Sequence, residues 1–169
     1  QYARSVEHYP FRKHNKSRFP ALNVRRRNEV IATDTIFADV PAIDDGSKFA
    51  QIFVGLDSMV VDVYGMKTDK EFTKTLKDNI WKQGAMDKLV SDRAKSKTPG
   101  KVKDILRSYG IDDFQHQNSA ERRYQTVKTY ANKVIDCSGA PAYTWLLCVS
   151  YVCILLSLLA CDAIGGDIP

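Results

Sequence analysis

The stretch from Val30 to Met66, VIATDTIFADVPAIDDGSKFAQIFVGLDSMVVDVYGM, decides the fold, because it holds three short runs rich in Val, Ile and Phe. Runs of β-branched and aromatic residues bounded by turn residues predict strands. Asp44–Ser47 (DDGS) predicts a turn after the first run, and Asp57-Ser58 predicts a tight link after the second. Such short connections predict a three-stranded antiparallel meander. The predicted strands are Val30–Val40, Phe49–Leu56 and Val60–Met66.

Helical and strand patterns alternate after the meander. Thr68 and Glu71 have the spacing of a capping box, which predicts a helix that Gly84 ends. The short apolar run Met86–Val90, which leads into Ser91-Asp92, predicts a fourth strand.

A second helix is predicted from Thr98-Pro99 to Gly110, because proline is favoured at the first helical position and glycine after the last. Ile111–Phe114 predicts a fifth strand, and Asn118 or Ser119 is expected to cap a third helix. We therefore expect an α/β fold with a mixed five-stranded sheet and flanking helices. The apolar stripe of the third helix consists of Ala120, Tyr124, Val127, Ala131 and Val134.

The excess positive charge lies in residues 1–27, which hold eight basic residues and one acidic residue, in a chain of formal net charge +5. Aromatic residues lie between these bases. Cations that neutralise phosphates, together with rings that stack on bases, favour a nucleic-acid contact. A solvated basic linker is the alternative. The candidate nucleic-acid contacts nearest the folded part are Arg25, Arg26 and Arg27.

The run from Cys137 to Cys161 contains no charged residue. Residues 142–161 reach the ~20 residues that a transmembrane helix needs, so a single-span membrane protein is one hypothesis. A buried helix that packs on the sheet is the favoured interpretation, because serine and threonine interrupt the run and no positive cluster follows it. The predicted organisation is a basic tail or linker over 1–27, a core domain over 28–136, and an apolar helix over 137–169 that packs on the core.

Cysteine usage excludes two classes of protein. The four cysteines form no CxxC pair, which excludes a disulfide scaffold and a Cys-rich zinc module. Cys148 and Cys153 are instead predicted to be buried apolar residues. The chain begins at Gln1 without a Met or an apolar leader, which is typical of a fragment rather than a secreted precursor.

Three acidic residues lie at the ends of predicted elements. Asp39 ends the first strand, Asp92 follows the fourth, and Glu121 lies in the first turn of the third helix. Carboxylates from separate elements could converge on hard divalent cations. Two such ions would support phosphodiester chemistry by activating a hydroxyl and stabilising the leaving oxygen. For each acid taken singly, a solvated or capping role is the alternative.

Four short motifs occur in order along the chain. They are IFADVP (Ile36–Pro41), FVGLD (Phe53–Asp57), LVSD (Leu89–Asp92) and QHQNSAER (Gln115–Arg122), of which the last is close to H-x-Q-N-G-x-x-E-R. With them, residues from about 28 to 160 resemble the catalytic core of a copia-type LTR-retrotransposon integrase, within the retroviral integrase superfamily. The resemblance implies an RNase H-like fold, processing of element DNA ends and strand transfer into target DNA.

The resemblance also implies a D,D,E triad that binds Mg²⁺ or Mn²⁺, with Asp39, Asp92 and Glu121 as its members. Asp34 is the alternative first acid, and a regular strand would place it and Asp39 on opposite faces. Gln125 and Lys128 share one helical face with Glu121. The resemblance implies that these two contact element DNA, and an ordinary solvated lysine is the alternative for Lys128.

The resemblance implies two kinds of partner, which are DNA (the element ends and the target) and further copies of the chain. It also implies a location in the nucleus. A membrane location belongs to the single-span alternative. Arg93-Ala94 replaces the Gly or Asn-Gly usual after the second acid, and the interval from Asp92 to Glu121 is shorter than in relatives. These departures support an alternative in which the chain is a truncated or degenerate copy that binds nucleic acid without catalysis.

Overall fold

The computed structural model describes residues 18–91, 99–114, 121–159 and 165. In this part of the chain, strands and helices follow one another in the predicted order β-β-β-α-β-α-β-α, and an apolar helix comes last. The strands are β1 (Val30–Phe37), β2 (Phe49–Gly55), β3 (Val61–Met66), β4 (Lys88–Ser91) and β5 (Asp112–Phe114). The helices are α1 (Phe72–Gln83), α2 (Pro99–Tyr109), α3 (Glu121–Ser138) and α4 (Trp145–Leu156).

The five strands form one mixed sheet in the order β3-β2-β1-β4-β5. β1 pairs antiparallel with β2, and β2 pairs antiparallel with β3, so the predicted meander is confirmed. β4 lies parallel to β1, and β5 lies parallel to β4. In this register Asp34 pairs with Ile52, and Thr33 pairs with Ser91. The carboxyl ends of β1 and β4 therefore meet at one edge of the sheet.

Helices cover both faces of the sheet, which separates two apolar cores, and β1 contributes side chains to both of them. Ile31 faces the core that α1 and α2 complete with Leu76 and Leu106. Ala32 and Ile36 face the opposite core, which α3 and α4 complete. Because side chains alternate along a strand, Asp34 shares the second face with Ala32 and Ile36.

β2, β3 and β5 differ from their predicted bounds by one residue at one end, and β1 and β4 differ by more. β1 ends at Phe37, three residues before the expected end, and Pro41 has no N–H with which to continue a ladder. The assumption that a regular strand extends to Asp39 was therefore wrong. β4 begins at Lys88 instead of Met86, because the Asp87 N–H donates to the Glu29 carbonyl just before the parallel pairing starts.

The start of α1 also differs from the prediction. Thr68 makes no side-chain cap, and Glu71 accepts a 2.8 Å hydrogen bond from the N–H of Lys67. A 3₁₀ turn over Asp69–Glu71 moves the first helical residue to Phe72, which takes Thr68 out of the capping position. Gly84 ends the helix with φ +108°, as predicted. Among the other predicted caps, Thr98, Asn118 and Ser119 lie outside the described residues.

α4 packs one side on the sheet and on α3, as the packed-helix interpretation predicts. Leu146, Val149, Val152 and Cys153 are buried in the core. Cys148 is also buried, which confirms the prediction for both cysteines. Across the described ranges, none of the helices has both the length and the apolar character to span a membrane.

Candidate functional site

Asp34 lies at the centre of the sheet, on the face of β1 that α3 covers. It is half-buried, and its Oδ1 accepts a 2.7 Å hydrogen bond from the N–H of Thr35. Its strand neighbours on this face, Ala32 and Ile36, are both buried. An acidic side chain between two core positions requires polar or charged partners, because an unpaired buried charge is costly.

Tyr124 connects α3 to this part of β1. The Tyr124 hydroxyl donates a 2.9 Å hydrogen bond to the carbonyl of Thr35, the residue after Asp34. Burial raises the pKa of Tyr124 well above its usual value, and the negative charge of Asp34 raises it further. The Asp34 carboxylate therefore acts electrostatically on Tyr124, and the first two turns of α3 are fixed over the centre of β1.

Glu121, Gln125 and Lys128 lie along one side of α3, as predicted. Glu121 is the first residue of the helix and is exposed, one turn before Tyr124. Gln125 is exposed, and Lys128 is half-buried with its Nζ 4.3 Å from the centroid of the Tyr124 ring. This cation–π contact holds the ammonium group over the Tyr124 ring.

The second predicted acid, Asp92, lies outside the described residues. β4 is described to Ser91, which pairs with Thr33 in the parallel register with β1. Thr33 and Ser91 are paired in the two parallel strands. In the sequence, Asp34 directly follows Thr33, and Asp92 directly follows Ser91. Among the residues that the structure describes, no group of three His, Cys, Asp or Glu side chains could hold a metal ion.

Asp39 lies beyond the end of β1, in an exposed position. It lines a cleft together with Lys128 and Asn132 of α3. Lys128 is seven residues after Glu121, which corresponds to roughly 10 Å along a helix axis. The structure thus brings Asp39 next to the middle of α3, whereas Asp34 lies beside the turn that follows Glu121.

The arginines of the basic segment pack against the other end of the sheet. The guanidinium group of Arg26 donates 2.8 Å to the Tyr109 carbonyl and pairs with Asp87 at 2.9 Å. Arg27 Nε lies 2.7 Å from Glu29 Oε2. The arginines precede β1 and Asp87 precedes β4, so these contacts lie at the amino ends of the two parallel strands. The structure therefore does not bring the arginines together with Asp34. Arg25 donates to the Gln83 carbonyl at 3.2 Å.

Two residues of the site were missed at the sequence level. Tyr124 was predicted as part of an apolar stripe, although a tyrosine hydroxyl in a core needs a hydrogen-bond partner and so points to a polar neighbour. Asn132 lies four residues after Lys128, which places it on the same side of the helix. That spacing was the available signal for Asn132.

The chain thus has a mixed five-stranded sheet flanked by helices, with Asp34 on its central strand and Glu121 at the start of α3. This is the RNase H-like architecture of integrase catalytic cores, and the predicted fold class is confirmed. Two solved structures with this fold are the HTLV-2 integrase catalytic core domain in complex with magnesium, in a trimeric and a dimeric form. They superpose with TM-scores of 0.64 and 0.63 at 18% and 19% sequence identity.

The chain covers 93% and 91% of those two domains with 83% of its own length. A third similar structure is an intasome of simian T-cell lymphotropic virus in complex with the PP2A regulatory subunit B56 gamma. Its TM-score is 0.60 at 16% identity, and 77% of this chain matches 49% of that one. No protein-family model and no curated protein matches the sequence. The copia-type assignment and the truncated status stay predictions.

Proposed function

We propose that this protein is an integrase-like core that binds DNA and carries out divalent-metal-dependent cleavage and joining of phosphodiester bonds. The proposed acids are Asp34, Asp92 and Glu121. Asp34 takes the first position, which sequence analysis gave to Asp39 with Asp34 as the alternative. The similarity of the fold to integrase cores supports the proposal.

The observation that carries the assignment is the hydrogen bond from Tyr124 to the Thr35 carbonyl. It joins the second turn of α3 to the residue after Asp34, which supports Glu121, one turn earlier on the helix, as a partner of this acid. The parallel pairing of Thr33 with Ser91 supports Asp92 as the neighbour of Asp34. Asp39 lacks these relationships, because it follows the end of β1 and lies beside Lys128.

The donor set fits a hard divalent cation. Carboxylate oxygens are the ligands that Mg²⁺ and Mn²⁺ prefer, and the proposed acids offer only such oxygens. The HTLV-2 integrase core structures are described as complexes with magnesium. When bound, the cation would lower the pKa of a water or hydroxyl and stabilise charge on the phosphate.

The protein side chains would bind and orient the DNA. Lys128 is suited to a phosphate contact, because its ammonium group is held above Tyr124 on the side of α3 that carries Glu121. Gln125 lies between Glu121 and Lys128 in the sequence and is exposed, so its amide could contact the same DNA strand as Lys128. With DNA as the substrate, the nucleus is the proposed location in the cell.

A second copy of the chain is a proposed partner. Leu147, Tyr151 and Ile154 are exposed at i, i+4 and i+7, so they form one apolar stripe on the outer side of α4, and the exposed Leu158 follows just after the helix end. Monomeric proteins rarely leave such a stripe uncovered. The similar HTLV-2 cores occur in dimeric and trimeric forms, which supports self-association here.

The test is Mg²⁺ binding by calorimetry on the full chain, with Asp34→Asn and Asp39→Asn as a matched pair. We expect binding in the wild type and in Asp39→Asn, and a loss of at least tenfold in affinity in Asp34→Asn and Glu121→Gln. A binding loss in Asp39→Asn that Asp34→Asn does not show would overturn the assignment.

Metal-dependent nicking of duplex DNA is the second readout. Wild-type protein that is folded and binds DNA, but neither binds Mg²⁺ or Mn²⁺ nor nicks DNA, would refute the catalytic proposal. The non-catalytic nucleic-acid-binding alternative would then describe the chain. Circular dichroism of each variant checks that the fold is retained.

A further inference from the structure

Three hydrogen-bonding side chains lie behind Asp34, on the opposite face of the sheet. Because side chains alternate along a strand, Thr33 and Thr35 share the face of Ile31, which packs toward α1 and α2. Gln51 of β2 pairs with Thr35 across the antiparallel ladder, so its side chain lies on this same face. Thr33 and Gln51 are each only 3% exposed. The buried face directly behind the candidate acid is therefore polar.

The side chain of Gln51 bridges the two threonines. Its Nε2 donates a 2.6 Å hydrogen bond to the Thr33 hydroxyl, and its Oε1 accepts a 2.8 Å hydrogen bond from the Thr35 hydroxyl. The Thr33 hydroxyl donates 2.7 Å to the carbonyl of Ile52, the residue that pairs with Asp34 across the ladder. Because this hydroxyl gives its one proton to Ile52, it can only accept from Gln51, which fixes the orientation of the amide.

Thr35 connects this bridge to the carboxylate of Asp34. The Thr35 N–H donates 2.7 Å to Asp34 Oδ1, and the Thr35 carbonyl accepts the hydrogen bond from Tyr124. A β-branched side chain has few χ1 rotamers, and the rotamers allowed depend on the backbone dihedral angles. Holding the Thr35 hydroxyl therefore also restricts the direction of the N–H that binds the carboxylate. Gln51 thereby acts on a carboxylate that lies on the other face of the sheet.

Apolar side chains are the ordinary choice for positions of this kind. Valine and isoleucine suit a buried strand, and a polar side chain in a core is costly unless it is hydrogen-bonded. A buried polar network with all its members paired makes the surrounding backbone rigid. Metal ligands need such support, because they must be held within about 0.5 Å of their working positions. The polar residues behind Asp34 thus favour a role in the site over a role in packing alone.

We propose that Gln51, Thr33 and Thr35 are positioning residues that hold the carboxylate of Asp34 in place for a divalent cation. Thr33 also pairs with Ser91 of β4, so the same bridge fixes the level of the strand that leads to the second proposed acid. The three residues act through the backbone of β1, because their side chains lie on the face away from the acid. This inference rests on the proposed function, since it takes Asp34 as the first metal-binding acid.

The test is Mg²⁺ binding by calorimetry on the full chain, with two substitutions of Thr35 that separate hydrogen bonding from packing. Thr35→Val keeps the shape of the side chain and removes the hydroxyl, whereas Thr35→Ser keeps the hydroxyl and removes a methyl group. We expect about a tenfold loss of affinity in Thr35→Val, the scale found for residues that orient metal ligands. Thr35→Ser should bind Mg²⁺ as tightly as the wild type.

Gln51→Met removes the amide at a similar side-chain length and should lose as much affinity as Thr35→Val. Thr75→Val is the matched control for the loss of a buried hydroxyl. Thr75 is also 3% exposed, and its hydroxyl donates 3.0 Å to the carbonyl of Phe72 within α1. Thr75→Val should therefore leave Mg²⁺ affinity unchanged, whatever it does to the urea midpoint.

Hydrogen exchange of the backbone amide of residue 35, followed by NMR without metal, is the second readout. This N–H is bound to Asp34 Oδ1, so it should exchange faster in Gln51→Met and Thr35→Val, relative to the other amides of β1. Thr35→Ser and Thr75→Val should show no selective change. A uniform increase along β1 in Gln51→Met would count against positioning, because it would reflect a general loss of stability.

Wild-type affinity in both Gln51→Met and Thr35→Val would overturn the proposal. Equal losses in Thr35→Val and Thr35→Ser would also overturn it, because packing would then be the cause. A folded wild type that binds no Mg²⁺, or whose binding does not depend on Asp34, marks failure of the proposed function instead. In that case the exchange of the residue 35 amide decides the positioning role: a selective increase in Gln51→Met supports it, and no selective increase refutes it.

Discussion

Tyr124 donates a hydrogen bond of 2.9 Å to the backbone carbonyl of Thr35, so that the first turns of α3 are joined to the central strand. Tyr124 is only 4% exposed, and its hydroxyl lies within the electrostatic reach of Asp34. The ammonium group of Lys128 makes a cation–π contact with the same ring. One tyrosine thus positions an acid-bearing strand, a helix start and a cation relative to each other.

Tyr124→Phe is expected to lower the free energy of unfolding by about 0.5–1.5 kcal/mol, because the Thr35 carbonyl loses its side-chain donor. It is also expected to weaken Mg²⁺ binding, since Glu121 loses part of its support. Urea unfolding and calorimetry measure the two effects. Tyr130→Phe is the matched control, because Tyr130 lies on the same helix and is 48% exposed. Equal effects of the two variants would contradict the positioning role.

Arg27→Ala is expected to destabilise the fold by about 3 kcal/mol, because it leaves the carboxylate of Glu29 buried without its cation. The side chain of Glu29 is 6% exposed and also accepts a 2.7 Å hydrogen bond from the Ser58 N–H. Lys82→Ala breaks the ion pair of the 63% exposed Lys82 and should cost at most about 1 kcal/mol. Urea unfolding compares them, and equal losses would count against a structural role for Arg27.

Alkaline pH is expected to destabilise the protein from about pH 9 upward. Burial, with a contribution from Asp62, raises the pKa of Cys153 from 9.0 to about 12 and that of Tyr64 from 10.0 to about 12. The folded state therefore keeps protons that the unfolded state releases, and stability is full below pH 9 and falls as the pH approaches 12.

The measurement for this prediction is the urea midpoint at pH 8, 10 and 11. Tyr64→Phe should reduce the fall in the midpoint between pH 8 and 11, whereas Tyr151→Phe, at an exposed position, should leave it unchanged. Cys153→Ala and Cys137→Ala form a second pair of a buried and an exposed residue. A fall of the same size in all four variants would exclude these groups as its cause.

The order of strands and helices could be predicted because each strand carries its own local pattern. The meander runs are rich in Val, Ile and Phe, and Gly84 and Gly110 end their helices at φ values of +108° and +64°, which favour glycine. The packing of α4 on the core was likewise predictable, because its run is apolar and without charge but is interrupted by serine and threonine. These features depend on neighbouring residues, so they can be recognised without the tertiary structure.

The positions of the candidate site residues depended on where β1 ends, which the sequence pattern did not indicate. Ile36, Phe37 and Val40 continue an apolar run, and the hydrogen bond from Trp145 to Val40 that helps to form the cleft links residues 105 apart. The contacts of Arg26 with the carbonyls of Tyr109 and Gly110 likewise link residues 83 and 84 apart. Long-range contacts of this kind decide whether a charged residue binds a ligand or the protein itself.

Ile154→Lys is expected to reduce self-association, because it places a charge in the apolar stripe on the outer side of α4. Ile43→Lys is a matched control, since Ile43 is 59% exposed and Ile154 60% exposed, in different parts of the surface. Sedimentation velocity at several protein concentrations measures the effect. We expect a smaller species only in Ile154→Lys, and an unchanged distribution in that variant would contradict a role of the stripe in self-association.

Lys128→Ala is expected to weaken binding to duplex DNA uniformly across sequences. Loss of one phosphate contact should reduce the slope of log affinity against log salt concentration by about one. Lys133→Ala is the matched control, because Lys133 also lies over a tyrosine ring, with its Nζ 5.4 Å from the centroid of Tyr130, but on another side of α3. Anisotropy titrations at four salt concentrations measure both slopes. If the two variants change the slope equally, the positive charge of α3 acts without a specific contact, and Lys128 has no special place beside the candidate acids.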